Sequence, residues 1–314
     1  MNTVQFSFGN AVTHFTKTGG PAGFLWKFAL AYAVLACLVQ AVSIILQWPI
    51  YEAYVQMFAG GGDLDRYAED LENISVGTSL SGLLVMPLGI LLWVAFEGAN
   101  QRRYMRGEGF GLRIRADEGR LLLVGLIWIA LFIGMYIGFA LTFVIPVMAG
   151  LALGSDGIGL AMLLGVVLVP GYMLLALWLS ARLSAAAALT VRDRQIRFFE
   201  SWRVTRGKGW TIVGAWIVLG LIAIVVLILF YLLLAALGIG LLSAQVPGLM
   251  DGDAADGAIV GAVVSPMFWA PMLVVALAFT LVQSMLMHIF SGPAALAART
   301  DPEWGSAGTV GEFD

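Results

Sequence analysis

Charged residues, histidine and cysteine are all scarce in this sequence. Lys, Arg, Asp and Glu make up 12% of its 314 residues, against roughly 25% in a typical soluble domain. Hydrophobic residues make up 60% of the chain, and its mean hydropathy is +0.91. These values exclude a soluble domain and indicate an integral membrane protein. The single cysteine, Cys37, excludes an intrachain disulfide and is expected to pack as a small apolar side chain.

Motifs for catalysis or cofactor binding are also missing. The only histidines, His14 and His288, lie far from any partner that would complete the HExxH motif of a metalloprotease. A GxSxG elbow and a GxxxxGK[ST] phosphate loop are absent. Residues 60–63 match the GxGD motif of intramembrane aspartyl proteases, but Asp63 falls in a polar loop. We therefore predict no catalytic residue, metal site or cofactor, and expect the protein not to be an enzyme.

Six long apolar runs are present, and each is long enough to cross a bilayer as a helix. We predict an all-α polytopic membrane protein with a six-helix transmembrane domain over residues 1–292. Its predicted spans are residues 24–47, 79–99, 121–148, 158–183, 211–242 and 266–290. Residues 293–314 are rich in Ala, Gly and polar side chains, which predicts a disordered cytoplasmic tail. The N-terminus lacks the features of a cleavable signal peptide, so the first run is expected to stay in the protein.

Basic residues gather on one side of these spans. Residues 101–120 contain six arginines, and residues 190–210 contain six more cations. With six spans and both termini in the cytoplasm, 16 of the 17 Lys and Arg residues fall inside, and only Arg66 falls outside. Because positive charge is retained on the cytoplasmic side, this sorting predicts an N-in/C-in topology in a bacterial inner membrane.

Short interfacial helices and one helix-packing motif are also indicated. In residues 190–210, Thr190 resembles the start of a capping box, and Ile196, Phe199 and Trp202 recur at helical spacing. This pattern predicts a short helix on the membrane surface, and residues 6–15 predict another. In the third apolar run, residues 134–138 form a GxxxG pattern, which permits close approach of a second helix.

The segment SWRVTRGKGW at residues 201–210 enters a long apolar run and follows an Ala-rich stretch at residues 185–189. It resembles an element of uncharacterised bacterial polytopic inner-membrane proteins, similar to the membrane domain attached to some glycerophosphodiester phosphodiesterases. The resemblance covers the second half of the chain and implies a helical membrane module. It implies no activity, because the chain has no room for a soluble phosphodiesterase domain.

Five polar residues fall near the cytoplasmic ends of three predicted spans: Glu97, Arg182, Gln283, Ser284 and His288. Ionisable groups at membrane depth usually face the interior of a bundle and often mark a functional site. The favoured interpretation is structural, in which Glu97 and Arg182 form an ion pair that joins two helices. The functional interpretation of this cluster stays open.

Two functional hypotheses from different classes follow. The first is a non-enzymatic protein that binds anionic lipid or a membrane-protein partner, and not nucleic acid, through its basic face. The residues expected to bind are Arg102, Arg103, Arg106, Arg192, Arg194, Arg197, Arg203, Arg206 and Lys208. These cations are also explained as topology determinants alone. The alternative is a transporter of a lipid-like or amphipathic molecule, with Pro87 and Pro170 as helix breaks.

Overall fold

The computed structural model describes residues 5–59, 64–154, 157–252 and 257–303, and no strand occurs among them. Their α-helices in chain order are α1 (Phe8–Thr13), α2 (Phe24–Leu46), α3 (Trp48–Ala59), α4 (Leu64–Arg106), α5 (Ala116–Leu153), α6 (Gly157–Leu183), α7 (Ala186–Asp193), α8 (Glu200–Val204), α9 (Gly209–Gln245), α10 (Ala258–Val263) and α11 (Pro266–Arg299). The predicted all-α class is confirmed.

Six of the described helices are long and apolar enough to cross a membrane. They are α2, α5, α9, α11, the part of α4 at Gly82–Arg106 and the stretch Gly157–Asp193, which contains α6 and α7. The prediction of six helices able to cross a membrane is confirmed. Many of their large apolar side chains are exposed, including Tyr136 at 74% and Val166 at 72%. Such wide apolar exposure matches a hydrocarbon solvent, because a soluble monomer rarely exposes large apolar patches.

The two prolines predicted to act as helix breaks lie within continuous helices. Pro87 lies inside α4 and Pro170 inside α6. Neither proline ends its helix, so their predicted role as helix breaks is wrong. In a membrane protein, neighbouring groups can satisfy the carbonyl that a proline leaves without a donor.

The C-terminal end of α11 differs from the sequence prediction. This helix continues to Arg299, and all five residues of Ala294–Ala298 are buried. Ala295 and Ala298 pack in a cluster with Tyr104, Leu189 and Val204. The predicted disordered tail is therefore wrong for residues 293–299, where alanine both favours the helix and fits a tight contact. Residues 304–314 of that tail lie outside the described residues.

Residues 190–210 form two short helical segments instead of the single predicted one. α7 ends where Arg194 adopts a left-handed backbone with φ of 54°, and α8 begins at Glu200. Thr190 lies inside α7, and its Oγ1 accepts a hydrogen bond from the Arg197 backbone N–H at 3.1 Å. Its predicted capping role is wrong, because the Ala-rich stretch before it extends the helix upstream.

The chain divides into two compact units. Unit 1 contains Met1–Ala22, Glu97–Leu219 and Ile289–Asp314, and unit 2 contains Gly23–Phe96 and Gly220–His288. Helices α4, α9 and α11 contribute residues to both units. Unit 1 holds all of the basic segment between α4 and α5 and all of the segment between α6 and α9.

In unit 1, α5 and α6 form a closely packed helical hairpin. The Tyr172 hydroxyl of α6 donates a hydrogen bond to the Met135 carbonyl of α5 at 2.5 Å. A Cβ at Gly138 would lie 2.5 Å from that hydroxyl oxygen, whereas a Cβ at Gly134 would meet nothing within 4 Å. Gly138 therefore provides the close approach expected of the GxxxG pattern, and Gly134 does not.

Candidate anion-binding site

Unit 1 contains a strongly cationic pocket where α4 ends and α5 begins. The pocket has a volume of about 360 Å³. Six arginines and three carboxylates line it together with Ala116: Arg102, Arg106, Arg113, Arg115, Arg120, Arg194, Glu108, Asp117 and Glu118. Six positive and three negative charges leave an excess of three positive charges.

The inner wall of the pocket is a buried ion pair between Arg102 and Glu118. Their side chains are only 4% and 2% exposed. The second Glu118 oxygen accepts the Arg115 backbone N–H at 2.9 Å, which is the carboxylate half of a capping box at the start of α5. The Arg102 Nη2 group also donates to the Gly111 carbonyl at 3.0 Å. Arg102 is therefore held rigidly between α5 and the loop before it.

Helix packing at this point depends on a glycine. A Cβ at Gly98 would lie 2.6 Å from Glu118 Oε1 and 3.3 Å from Arg102 Nη1. No side chain fits at this position without moving the ion pair.

Arg106 joins the pocket to a distant part of the chain. Its Nη1 donates to Asp117 Oδ2 at 2.8 Å, and its Nη2 donates to the Val191 carbonyl of α7. Asp117 also accepts a hydrogen bond from Arg120 at 3.0 Å. The bond to Val191 holds the end of α7 beside α4, and Arg194 follows directly after that end.

Two arginines of the pocket have a positive charge that no ion pair compensates among the described residues. Arg115 and Arg194 are exposed, and neither forms an ion pair with a carboxylate in the described part of the chain. Arg113 is 45% exposed and forms an ion pair with Glu108 at 3.1 Å. The mouth of the pocket thus presents guanidinium groups, while the carboxylates are engaged deeper inside.

A second charged cluster, around Asp301, has the opposite balance. Its pocket of about 240 Å³ is lined by Arg192, Arg197 and Arg203 against Asp193, Glu200, Asp301 and Glu303. The Asp301 side chain is 1% exposed and forms ion pairs with Arg192 at 3.2 Å and Arg203 at 3.5 Å. Three cations against four carboxylates do not favour an anion at this pocket.

The cations near Asp301 hold the C-terminus of α11. Arg192 donates to the Ala298 carbonyl at 2.9 Å, and Lys208 donates to the Ala297 and Thr300 carbonyls at 3.3 Å. Cations at a helix C-terminus interact favourably with its dipole and its unpaired carbonyls. Burial lowers the pKa of Lys208 below its ordinary value of 10.5, and the negative charge of Asp301 partly opposes this shift.

The nine predicted binding cations therefore differ in their surroundings. The side chains of Arg102, Arg103 and Arg192 are buried, whereas Arg194, Arg203 and Arg206 are exposed. Arg106, Arg197 and Lys208 have intermediate exposure. Arg103 donates to Thr18 Oγ1 at 2.9 Å.

Sequence reasoning did not include Arg113, Arg115 and Arg120 among the binding residues, although all three line the cationic pocket. Their position around the Asp117 and Glu118 pair at a helix start was the available signal.

The predicted ion pair between Glu97 and Arg182 does not form. The Glu97 carboxylate accepts a hydrogen bond from Gln101 Nε2 at 2.7 Å. Arg182 donates to the Trp202 carbonyl at 2.5 Å, and its guanidinium carbon lies 4.6 Å from the centre of the Trp202 ring. Gln101 is one turn away from Glu97 on the same helix, and Trp202 belongs to the segment between α6 and α9, so each ionisable group contacts a partner other than the one predicted.

The other members of the predicted polar cluster lie in unit 2, whereas Glu97 and Arg182 lie in unit 1. Ser284 is buried and lies 2.7 Å from the Leu281 carbonyl oxygen and 3.4 Å from that of Ala29. His288 is buried with its ring centre 5.4 Å from that of Phe24, whereas Gln283 is exposed.

No protein-family model, curated protein or solved structure matches this chain.

Proposed function

We propose that this protein binds anionic phospholipid headgroups at the cytoplasmic face of a bacterial inner membrane, with both termini in the cytoplasm and without catalytic activity. The observation that carries the proposal is the cationic pocket between α4 and α5, with its excess of three positive charges. Each exposed cation near an anionic membrane surface contributes about 1 kcal/mol of attraction.

The position of the pocket along the chain supports a lipid as its ligand. It lies at the junction of two helices that are long and apolar enough to cross a membrane. The end of such a span is the depth at which lipid headgroups lie. Phe199, Trp202 and Trp210, in and just after the segment between α6 and α9, are also exposed. Exposed tryptophan is typical of the membrane–water interface.

The resemblance of residues 201–210 to the membrane domain of glycerophosphodiester phosphodiesterases is consistent with this proposal. It implies a helical membrane module and no phosphodiesterase activity. A second membrane protein is the competing ligand for the basic face, and the test must be able to detect it.

Lipid retention after mild extraction tests the proposal. The purified protein is equilibrated with equal amounts of phosphatidylglycerol and phosphatidylcholine, and the lipids that stay bound are counted by native mass spectrometry. We expect enrichment of phosphatidylglycerol that declines as ionic strength rises from about 0.1 M to about 1 M, because the Debye length falls from about 10 Å to about 3 Å. Equal retention of both lipids, or a stoichiometric second protein in place of lipid, would contradict the proposal.

A further inference from the structure

We infer that the pocket between α4 and α5 selects a phosphomonoester, the terminal phosphate group of a lipid such as phosphatidic acid, over a phosphodiester headgroup. This inference rests on the proposed function and specifies the ligand of the same site. Three observations carry it: the charge of the pocket, the fixed position of its inner arginines, and the exposed apolar residues that alternate with two of its arginines in the loop before α5.

The charge of the pocket fits a dianion better than a monoanion. A phosphomonoester carries about −1.5 to −2 charges near pH 7 and has three terminal oxygens that accept hydrogen bonds. A phosphodiester headgroup carries one negative charge and has two such oxygens. The pocket has three positive charges in excess, and Arg115 and Arg194 form no ion pair among the described residues. A dianion leaves less positive charge uncompensated.

The inner arginines are already positioned without a ligand. Arg102 is held by Glu118 and the Gly111 carbonyl, and Arg106 by Asp117 and the Val191 carbonyl. Both guanidinium groups already donate to protein acceptors through Nη1 and Nη2, so they fix the walls of the pocket. The exposed arginines at its mouth are the ones left to bind phosphate oxygens through two parallel N–H donors. Because the inner arginines are fixed, only the exposed arginines at the mouth lose conformational freedom on binding, which lowers the entropic cost.

The loop that carries two of the pocket's arginines favours a ligand that belongs to a membrane. Leu112 and Ile114 alternate with Arg113 and Arg115 in the loop before α5, and they are 38% and 79% exposed. Apolar side chains beside exposed cations match the boundary between headgroups and acyl chains. A free phosphate needs no such residues, so we assign a lipid phosphomonoester to the site.

Binding in nanodiscs distinguishes these ligands. The protein is embedded in phosphatidylcholine nanodiscs that contain phosphatidic acid or phosphatidylglycerol at equal mole fraction, and the bound lipid is measured after extraction. Inorganic phosphate and glycerol 3-phosphate serve as the soluble probes. We expect a preference of about tenfold for phosphatidic acid near pH 7.5. The preference should shrink as the pH falls through the second phosphate pKa of about 6, because the dianion becomes a monoanion while the arginines stay charged.

The matched variants change one charge at a time. Arg115→Gln and Arg194→Gln, alone and combined, remove the two exposed pocket charges that form no ion pair among the described residues and keep a polar side chain at each position. Gln also leaves the left-handed backbone at position 194 no more strained than Arg does. Lys17→Gln is the control, because Lys17 is an exposed cation of unit 1 that does not line the pocket and is not among the predicted binding residues. We expect the double variant to lose the preference and the control to keep it.

The remaining outcomes test separately the assignment to this pocket, the phosphomonoester selectivity and the proposed function. Persistence of the preference in the double variant would refute the assignment to this pocket. Equal retention of phosphatidic acid and phosphatidylglycerol, both above phosphatidylcholine, would refute the phosphomonoester selectivity and leave the proposed function intact. No retention of either anionic lipid would overturn both. Binding of glycerol 3-phosphate as tight as that of phosphatidic acid would support the phosphate chemistry and replace the lipid with a soluble source.

Discussion

Arg102 and Arg113 show how differently one residue type acts at two ends of the same pocket. Arg102 forms a buried ion pair with Glu118, whereas Arg113 pairs with Glu108 in an exposed position. Removing one partner of a buried pair leaves an uncompensated charge in a poorly solvated place. An exposed pair is well solvated with or without its partner.

We therefore expect Glu118→Gln to destabilise the protein by about 3–5 kcal/mol. Arg113→Gln serves as its control and should change stability by less than about 1 kcal/mol. Unfolding by denaturant in a fixed detergent measures both values. Similar losses for the two variants would show that the buried pair has no special role in stability.

Gly98 provides a second residue-scale test. We expect Gly98→Ala to displace the carboxylate of Glu118, because the added Cβ would lie 2.6 Å from its Oε1. Overpacking of this kind costs about 1–3 kcal/mol. Gly89→Ala is the matched control in the same helix, since a Cβ there meets nothing within 4 Å. The control should unfold at the same denaturant concentration as the wild type or higher, and a loss equal to that of Gly98→Ala would contradict the packing argument.

At the scale of elements, the end of α11 depends on cations from the segment between α6 and α9. Lys208 donates to two of its last carbonyls while partly buried. The folded protein therefore holds this ammonium group in a place where its charged form is poorly solvated. This arrangement makes stability depend on pH in the alkaline range.

The sign of that dependence follows from proton binding. Burial lowers the pKa of Lys208 below 10.5 in the folded protein, so the unfolded chain binds more protons between the lowered pKa and 10.5. The stability contribution of Lys208 therefore rises with pH through this window. The free energy of unfolding of the wild type, minus that of Lys208→Met, should increase as pH is raised towards about 10.5. A difference that stays constant or falls would contradict the assignment.

Element prediction from the sequence succeeded where long apolar runs carried the signal. The ends of α2, α5, α6 and α9 lie close to the predicted span ends, because polar residues and glycines bound the apolar runs in the sequence. The end of α11 was missed because residues 294–298 are four alanines and one leucine, a stretch too short to extend the apolar run recognisably. Their burial depends on a contact with Tyr104 and Leu189, which are far away in the sequence.

The pocket could be predicted only in part, for a similar reason. The arginines at residues 102–120 were visible as a basic segment, but which of them are paired depends on distant atoms. Arg106 reaches the Val191 carbonyl, 85 residues away, and that contact places Arg194 at the pocket. Sequence patterns do not encode such long-range pairing. The sequence therefore does not distinguish arginines in buried ion pairs from exposed arginines that could bind an anion.

At the scale of the whole molecule, the orientation in the membrane is the assumption that the proposed function needs most. With Cys37 replaced by Ser, single cysteines at Arg206 and Asp251 report the two faces. We expect Arg206→Cys to react with a membrane-impermeant maleimide only after the cells are opened, and Asp251→Cys to react in intact cells. Both positions are exposed, so burial does not confound the comparison. The reverse pattern would place the cationic pocket on the wrong side for the proposed ligand.

Because Arg106 donates a hydrogen bond to the Val191 carbonyl, the pocket has walls from two regions of the chain. An anion bound as proposed would link these two regions. A ligand that binds only the folded state raises stability in proportion to the logarithm of its concentration. The resistance of this protein to heat should therefore follow the composition of the surrounding bilayer. A preparation from which acidic lipid has been removed should unfold at a lower temperature, because the ligand that stabilises the folded state is absent. Its covalent structure is unchanged.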